Sequence, residues 1–165
     1  MTRFSALALA LALAGCDGTQ DTTSLRAALD ASEVSLRETV AVAETATPAS
    51  RGITARLHPG TTAEFAVGCA GEATLHDVRI DLAGHIVSAR PAGTYANDCA
   101  GSISLSQAIA IAEAEVSGSA TAIEPDDDGP CNREVQVLVG DTLWEVKVGP
   151  TGQVIETELS DETED

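Results

Sequence analysis

The sequence predicts an α+β fold of two tandem units, each one helix packed on a 3–4-stranded antiparallel sheet. Three observations carry that expectation: an internal repeat at an offset of 68–69 residues, a helix-start signal at the head of each copy, and period-two alternation through the remainder. Val34–Glu44 aligns with Ile103–Glu113 at an offset of 69. Leu75–Ile80 aligns with Leu143–Val148, and Leu82–Val87 with Pro150–Ile155, both at 68. One deletion between the blocks accounts for the change, so the chain reads as a duplication.

Each copy opens with the spacing of a capping box. Ser35 with Glu38, and Ser104 with Gln107, place a hydroxyl and an N3 side chain where they satisfy orphan amides reciprocally. Leu36, Val40 and Ala43, and then Leu105, Ile109, Ala112 and Val116, recur at helical spacing and form one apolar face. Pro48 and Ser117-Gly118 end the two helices. In the second copy Val135, Val137 and Val139 share a face, with Glu134 and Gln136 opposite. Gly140-Asp141 is a turn signal, Trp144, Val146 and Val148 share the next face, and Pro150-Thr151-Gly152 turns into a last strand, 153–159. The first copy parallels this with Phe65, Val67 and Cys69, then His76, Val78 and Ile80, then 85–90. A weaker first strand is expected at 53–58 and at 120–124.

The N-terminus predicts an address. Arg3 precedes an apolar run, Phe4–Ala12, too short for a bilayer span of about 20 residues and suited to a signal-peptide core. Leu13-Ala14-Gly15-Cys16 resembles the lipobox of bacterial lipoproteins. The resemblance implies cleavage before Cys16 and acylation of that cysteine, and two or more acyl chains give a stable anchor. Asp17 resembles an inner-membrane retention signal of enteric bacteria; it also simply opens the polar tether 17–23, and the two readings are compatible. The expected organisation is a signal peptide at 1–15, lipidated Cys16 with a tether to 33, unit 1 at 34–91, a linker at 92–101, unit 2 at 102–160 and an acidic tail at 161–165. The location is the bacterial envelope, with the chain facing the periplasm or the cell exterior.

Charge excludes some partners. The 165 residues hold 9 Lys or Arg and 26 Asp or Glu, for a net charge of −17, and aromatics make up only 2%. Nucleic acid and anionic lipid need clustered cations, which are missing. Residues 34–91 carry six acids and five arginines, whereas residues 101–165 carry fifteen acids against Arg133 and Lys147. An acidic distal half suits either a solubilising surface or a basic partner.

With Cys16 acylated, Cys69, Cys99 and Cys131 remain, and an oxidising envelope permits one bridge. Three pairings are open. Cys99 and Cys131 sit near element ends, so they are the expected disulfide, with Cys69 reduced and buried as a small hydrophobe. His58, His76 and His85 lack the spacing of a zinc site, and His76 falls on the inner face at the place of Trp144. Asp126-Asp127-Asp128-Gly129 does not reproduce a calcium loop and reads as a solvated turn. No nucleophile elbow or phosphate loop is present, so no catalytic residue, metal ligand or cofactor is expected, and the chain is not read as an enzyme.

Taken together, the helix start Ile103–Ile109, the paired alternating strands and the closing Gly149–Val154 turn resemble the PepSY family, whose hairpin runs D-x-x-T-G-E-V. Asp81–Val87 keeps the Asp and Gly of that turn in the first copy, while Gly149 replaces the Asp in the second. The resemblance spans 34–91 and 102–160. It implies a domain of metallopeptidase propeptides and envelope proteins that inhibits or locally controls a peptidase, with no catalytic residue to carry over. The expected function is therefore a lipid-anchored, non-catalytic binding module regulating a peptidase through its sheet surface. The competing expectation is a scaffold lipoprotein whose acidic second unit holds a basic envelope partner.

Overall fold

Both capping boxes form. In the computed structural model, which describes residues 21–160 apart from 72, 96–98, 100, 128 and 130, the Ser35 amide donates to Glu38 Oε2 at 2.7 Å. The Glu38 amide in turn donates to Ser35 Oγ at 3.3 Å. The Ser104 and Gln107 pair repeats this at 2.9 and 3.2 Å. They start helices α2 (Leu36–Ala46) and α3 (Leu105–Val116). Ser117, left-handed at φ 55°, ends α3, and Pro48 follows the C-cap of α2. The aligned repeat ends on Glu44 and Glu113 for a structural reason. Glu44 Oε1 accepts from the Gly52 amide at 2.8 Å and Glu113 Oε1 from the Ala120 amide at 3.0 Å, tying each helix to the strand that follows it.

The strands are β1 (Arg51–His58), β2 (Glu64–Ala70), β3 (Thr74–Asp81), β4 (Ile86–Thr94), β5 (Ser119–Pro125), β6 (Arg133–Val139), β7 (Thr142–Val148) and β8 (Val154–Leu159). They do not form two separate sheets. β1 pairs antiparallel with β5, giving one eight-stranded antiparallel sheet in the order β4-β3-β2-β1-β5-β6-β7-β8. Among the described residues the joint leaves β4 and β8 as the edges, and a fused sheet hides the β1 and β5 backbone that two separate sheets would expose.

One cross-strand row runs through all eight strands: Ala89, Val78, Val67, Ala55, Ile123, Val135, Val146, Thr157. Each residue of its first half lies 68 positions before its counterpart in the second, so Ala55 faces its own equivalent, Ile123, at the centre. The six central residues are buried, and α2 and α3 contribute Leu36, Val40, Ala43, Leu105, Ile109 and Ala112 to the same core. With so few aromatics, stabilisation comes from many medium side chains, each worth about 1.5–3 kcal/mol when fully buried.

A further helix, α1 (Thr22–Ala31), lies inside the segment read as a tether. Asp21, taken there as tether, is its N-cap and accepts from the Thr23 amide at 3.1 Å. Leu25 is completely buried, with Ala28 one turn on, and both join the common core. Arg26 donates to the Gly140 carbonyl, tying α1 to the β6–β7 turn. Residues 92–94 of the expected linker extend β4. Cys16, Asp17, the signal peptide 1–15, the tail 161–165 and Asp128 lie outside the described residues. Among the described residues no helix is long and apolar enough to cross a membrane.

Candidate binding face

Alternation along each strand sends one set of side chains into the core and the other onto a face that no described helix covers. Two charged rows cross that open face. The first runs Ser88, Arg79, Ala66, Arg56, Ala122, Gln136, Glu145, Glu158. The second holds Arg90, Asp77, Gly68 and Thr54 on β4 to β1, and Glu124, Glu134, Lys147 and Glu156 on β5 to β8. In these rows β1–β4 present three arginines and one aspartate, whereas β5–β8 present five glutamates and one lysine.

Two of the three arginines are engaged. Arg79 pairs with Asp77 at 3.0 Å and Glu64 at 3.2 Å, and Arg56 reaches across the joint to Glu124 at 3.1 Å. Lys147 sits 3.5 Å from Asp126 and 3.6 Å from Glu156. The remaining carboxylates repel one another. Burial first, and then the charges of Glu145 and Glu124, push Glu134 up to about 7. Glu145 is also raised, by burial and by Glu158.

This raised value has a stability consequence. A carboxyl group that titrates near 4.5 when unfolded and near 7 when folded makes the native state hold more protons between those values. Stability therefore falls as pH rises from about 5 to 8. Thermal melts across that range are expected to show it, and Glu134→Gln is expected to flatten the slope and melt above the parent at pH 8. Identical slopes for parent and variant would exclude Glu134 as the source.

Beside the charged rows, a groove of about 580 Å³ opens over β1–β3 and the joint. Ala66 leaves space on β2, Ile53 is turned there by a β1 bulge, and Leu75 and Ala92 add apolar wall. Thr54 Oγ1 fills the position a Cβ on Gly68 would need, so a larger residue there would have to displace it. His58 and His76, two of the three histidines, both line this groove. Burial and then the Arg79 and Arg56 charges keep His58 below its ordinary value. His85 is exposed and faces Asp81 at 3.3 Å in the β3–β4 turn. Among the described residues no three His, Cys, Asp or Glu side chains converge as metal ligands.

Cys99 and Cys131 are joined as a disulfide, with Cα atoms 5.3 Å apart, pinning the β4–α3 connection to the β5–β6 connection. Cys69 is unbonded and buried on the inner face, where desolvation pushes its thiol up. Arg133 occupies the place that Phe65 holds 68 residues earlier. It is buried, and burial with repulsion from Arg51 lowers its affinity for its proton.

The closing turns explain a departure in the motif. Asp81 accepts from the Ala83 and His85 amides at 3.0 and 2.8 Å, the usual role of an Asp opening a turn. Gly149 lacks that carboxylate, and the Gln153 side chain occupies the space its Cβ would need. Gly84 and Gly152, at φ 85° and 90°, both supply the left-handed residue of the turn.

Capping box, paired strands and closing turn are thus all in place in the second half. Residues 102–159 match the PepSY family, described as the peptidase propeptide and YPEB domain. The PepSY match covers α3 and β5–β8 and stops at the end of β8. No curated protein matches the chain. Among solved structures, a candidate lipoprotein from Clostridium difficile 630 is similar at 12% identity and a TM-score of 0.44, over 73% of this chain and 90% of its own.

Proposed function

We propose that the chain is two tandem PepSY-like units fused through one sheet, tethered to the envelope membrane by acylated Cys16, and that it works as a non-catalytic binding module. Its open sheet face holds a protein partner. A peptidase is the class of partner that the PepSY match at 102–159 suggests.

One observation carries this reading. Between the halves, the inner row keeps its character, Val67 with Val135 and Val78 with Val146, because both must fill a core. The open face diverges: Arg56 becomes Glu124, Ala66 becomes Glu134, Ser88 becomes Glu156 and Arg90 becomes Glu158 at the same offset. A face serving only solubility has no use for a groove on one half and acids on the other. Such a pair of surfaces suits recognition of one asymmetric partner.

The test is a crosslinked pull-down from envelope extract with the full chain in detergent, at low and high salt. A peptidase retained at both salts, and inhibited saturably by the protein, is the expected result. The scaffold reading is favoured by the five glutamates of β5–β8. It expects a non-peptidase partner lost at high salt, since exposed charges are screened within about 8 Å at physiological ionic strength.

A further inference from the structure

The groove and the acidic rows are neighbours on one surface. The groove is centred on β2, and its floor is free of long polar side chains because Ala66 and Gly68 stand where the other half carries Glu134 and Gln136. Arg56 and Glu124 neutralise each other at the joint. Beyond them, Glu134, Glu145, Glu156 and Glu158 face Lys147, the single cation that β5–β8 place in the two rows. Strands lie about 4.8 Å apart, so β6 and β7 are about 14–19 Å from β2, a span of four to six extended residues at about 3.3 Å each.

We propose that groove and acidic rows form one composite site for an extended basic polypeptide segment. The segment seats a bulky apolar side chain in the groove and lays lysines or arginines, four to six residues away, over Glu134 and Glu145. Apolar burial anchors it, and charge complementarity fixes its direction across the strands. This inference rests on the open face being the docking surface and adds the chemistry of the occupant.

The test uses the full chain in detergent and fluorescent twelve-residue peptides. One carries a leucine followed five and six residues later by lysines; a second replaces the leucine with alanine; a third moves the lysines next to the leucine. Ala66→Trp closes the groove, and Ala92→Trp does so from an exposed position on β4 that packing does not constrain. The first peptide is expected to bind at least tenfold more tightly than the other two, and both tryptophan variants are expected to lose that advantage. Glu134→Gln with Glu145→Gln is expected to weaken binding about tenfold and flatten its salt dependence. Equal binding of the three peptides, or binding unchanged by both tryptophans, would overturn the composite site. In the pull-down, a partner lost by the glutamine variant but kept by both tryptophan variants would overturn the groove and leave the open face standing. A partner kept by all of them would overturn the face as well.

Discussion

Phe65→Ala is expected to lower the unfolding free energy by about 3–5 kcal/mol, the range for truncating a fully buried aromatic. Phe65 is one of two phenylalanines in the chain, is 0% exposed, and lies in register between Leu57 on β1 and Ile80 on β3, both also fully buried. Leu25 of α1 belongs to the same core cluster, so the cavity opens within packing shared by helix and sheet. The loss combines transfer free energy with contacts that neighbours cannot re-form. Urea titration followed by circular dichroism measures it. A change below about 1 kcal/mol would mean that this part of the core collapses around the cavity or is not packed as described.

Replacing Cys99 and Cys131 together with serine is expected to cost about 3–4 kcal/mol, the loop-closure value for a crosslink of this size. The bond joins residues 32 apart in sequence, spanning α3 and β5, and so restrains the unfolded chain over the whole first part of the second half. Peptide mapping under non-reducing conditions is expected to recover Cys99 and Cys131 in one linked species and Cys69 alone. Denaturant midpoints with and without reductant give the magnitude. Recovery of Cys69 in a linked peptide would contradict the pairing, and unchanged midpoints would assign the bond no role in stability.

What the sequence made legible was local. Ser35 with Glu38 and Ser104 with Gln107 announced α2 and α3 because a capping box is complete within four residues. Val135, Val137, Val146 and Val148 announced inward faces because strand periodicity is equally short-ranged. The joint was not legible. It rests on Ala55 facing Ile123 and Arg56 facing Ala122, and nothing local in those residues distinguishes an edge from a seam. Helix α1 was hidden by its own composition: Asp21, Thr22 and Thr23 read as a polar tether until Leu25 finds a core to enter. Glu134 and Gln136 could be assigned to the outer face, but their crowding with Glu145 depends on a neighbouring strand's register. The groove is a deficit of long side chains on β2, where Ala66 stands, and small residues carry no periodic signal.

The seam itself has a further consequence. Because β1 meets β5 antiparallel, with equivalent residues opposed at its centre, the contact is self-complementary in the manner of a two-fold interface between identical subunits. Such contacts saturate. Each half spends its only first strand on the other, and what remains outside are last strands, β4 and β8, which carry a different sequence and offer no matching surface to a first strand. With β1 and β5 used up in the joint, further assembly has to use other surfaces, and among the described residues Ile86, Val87, Ile155 and Leu159 are the large apolar side chains exposed along the two rims.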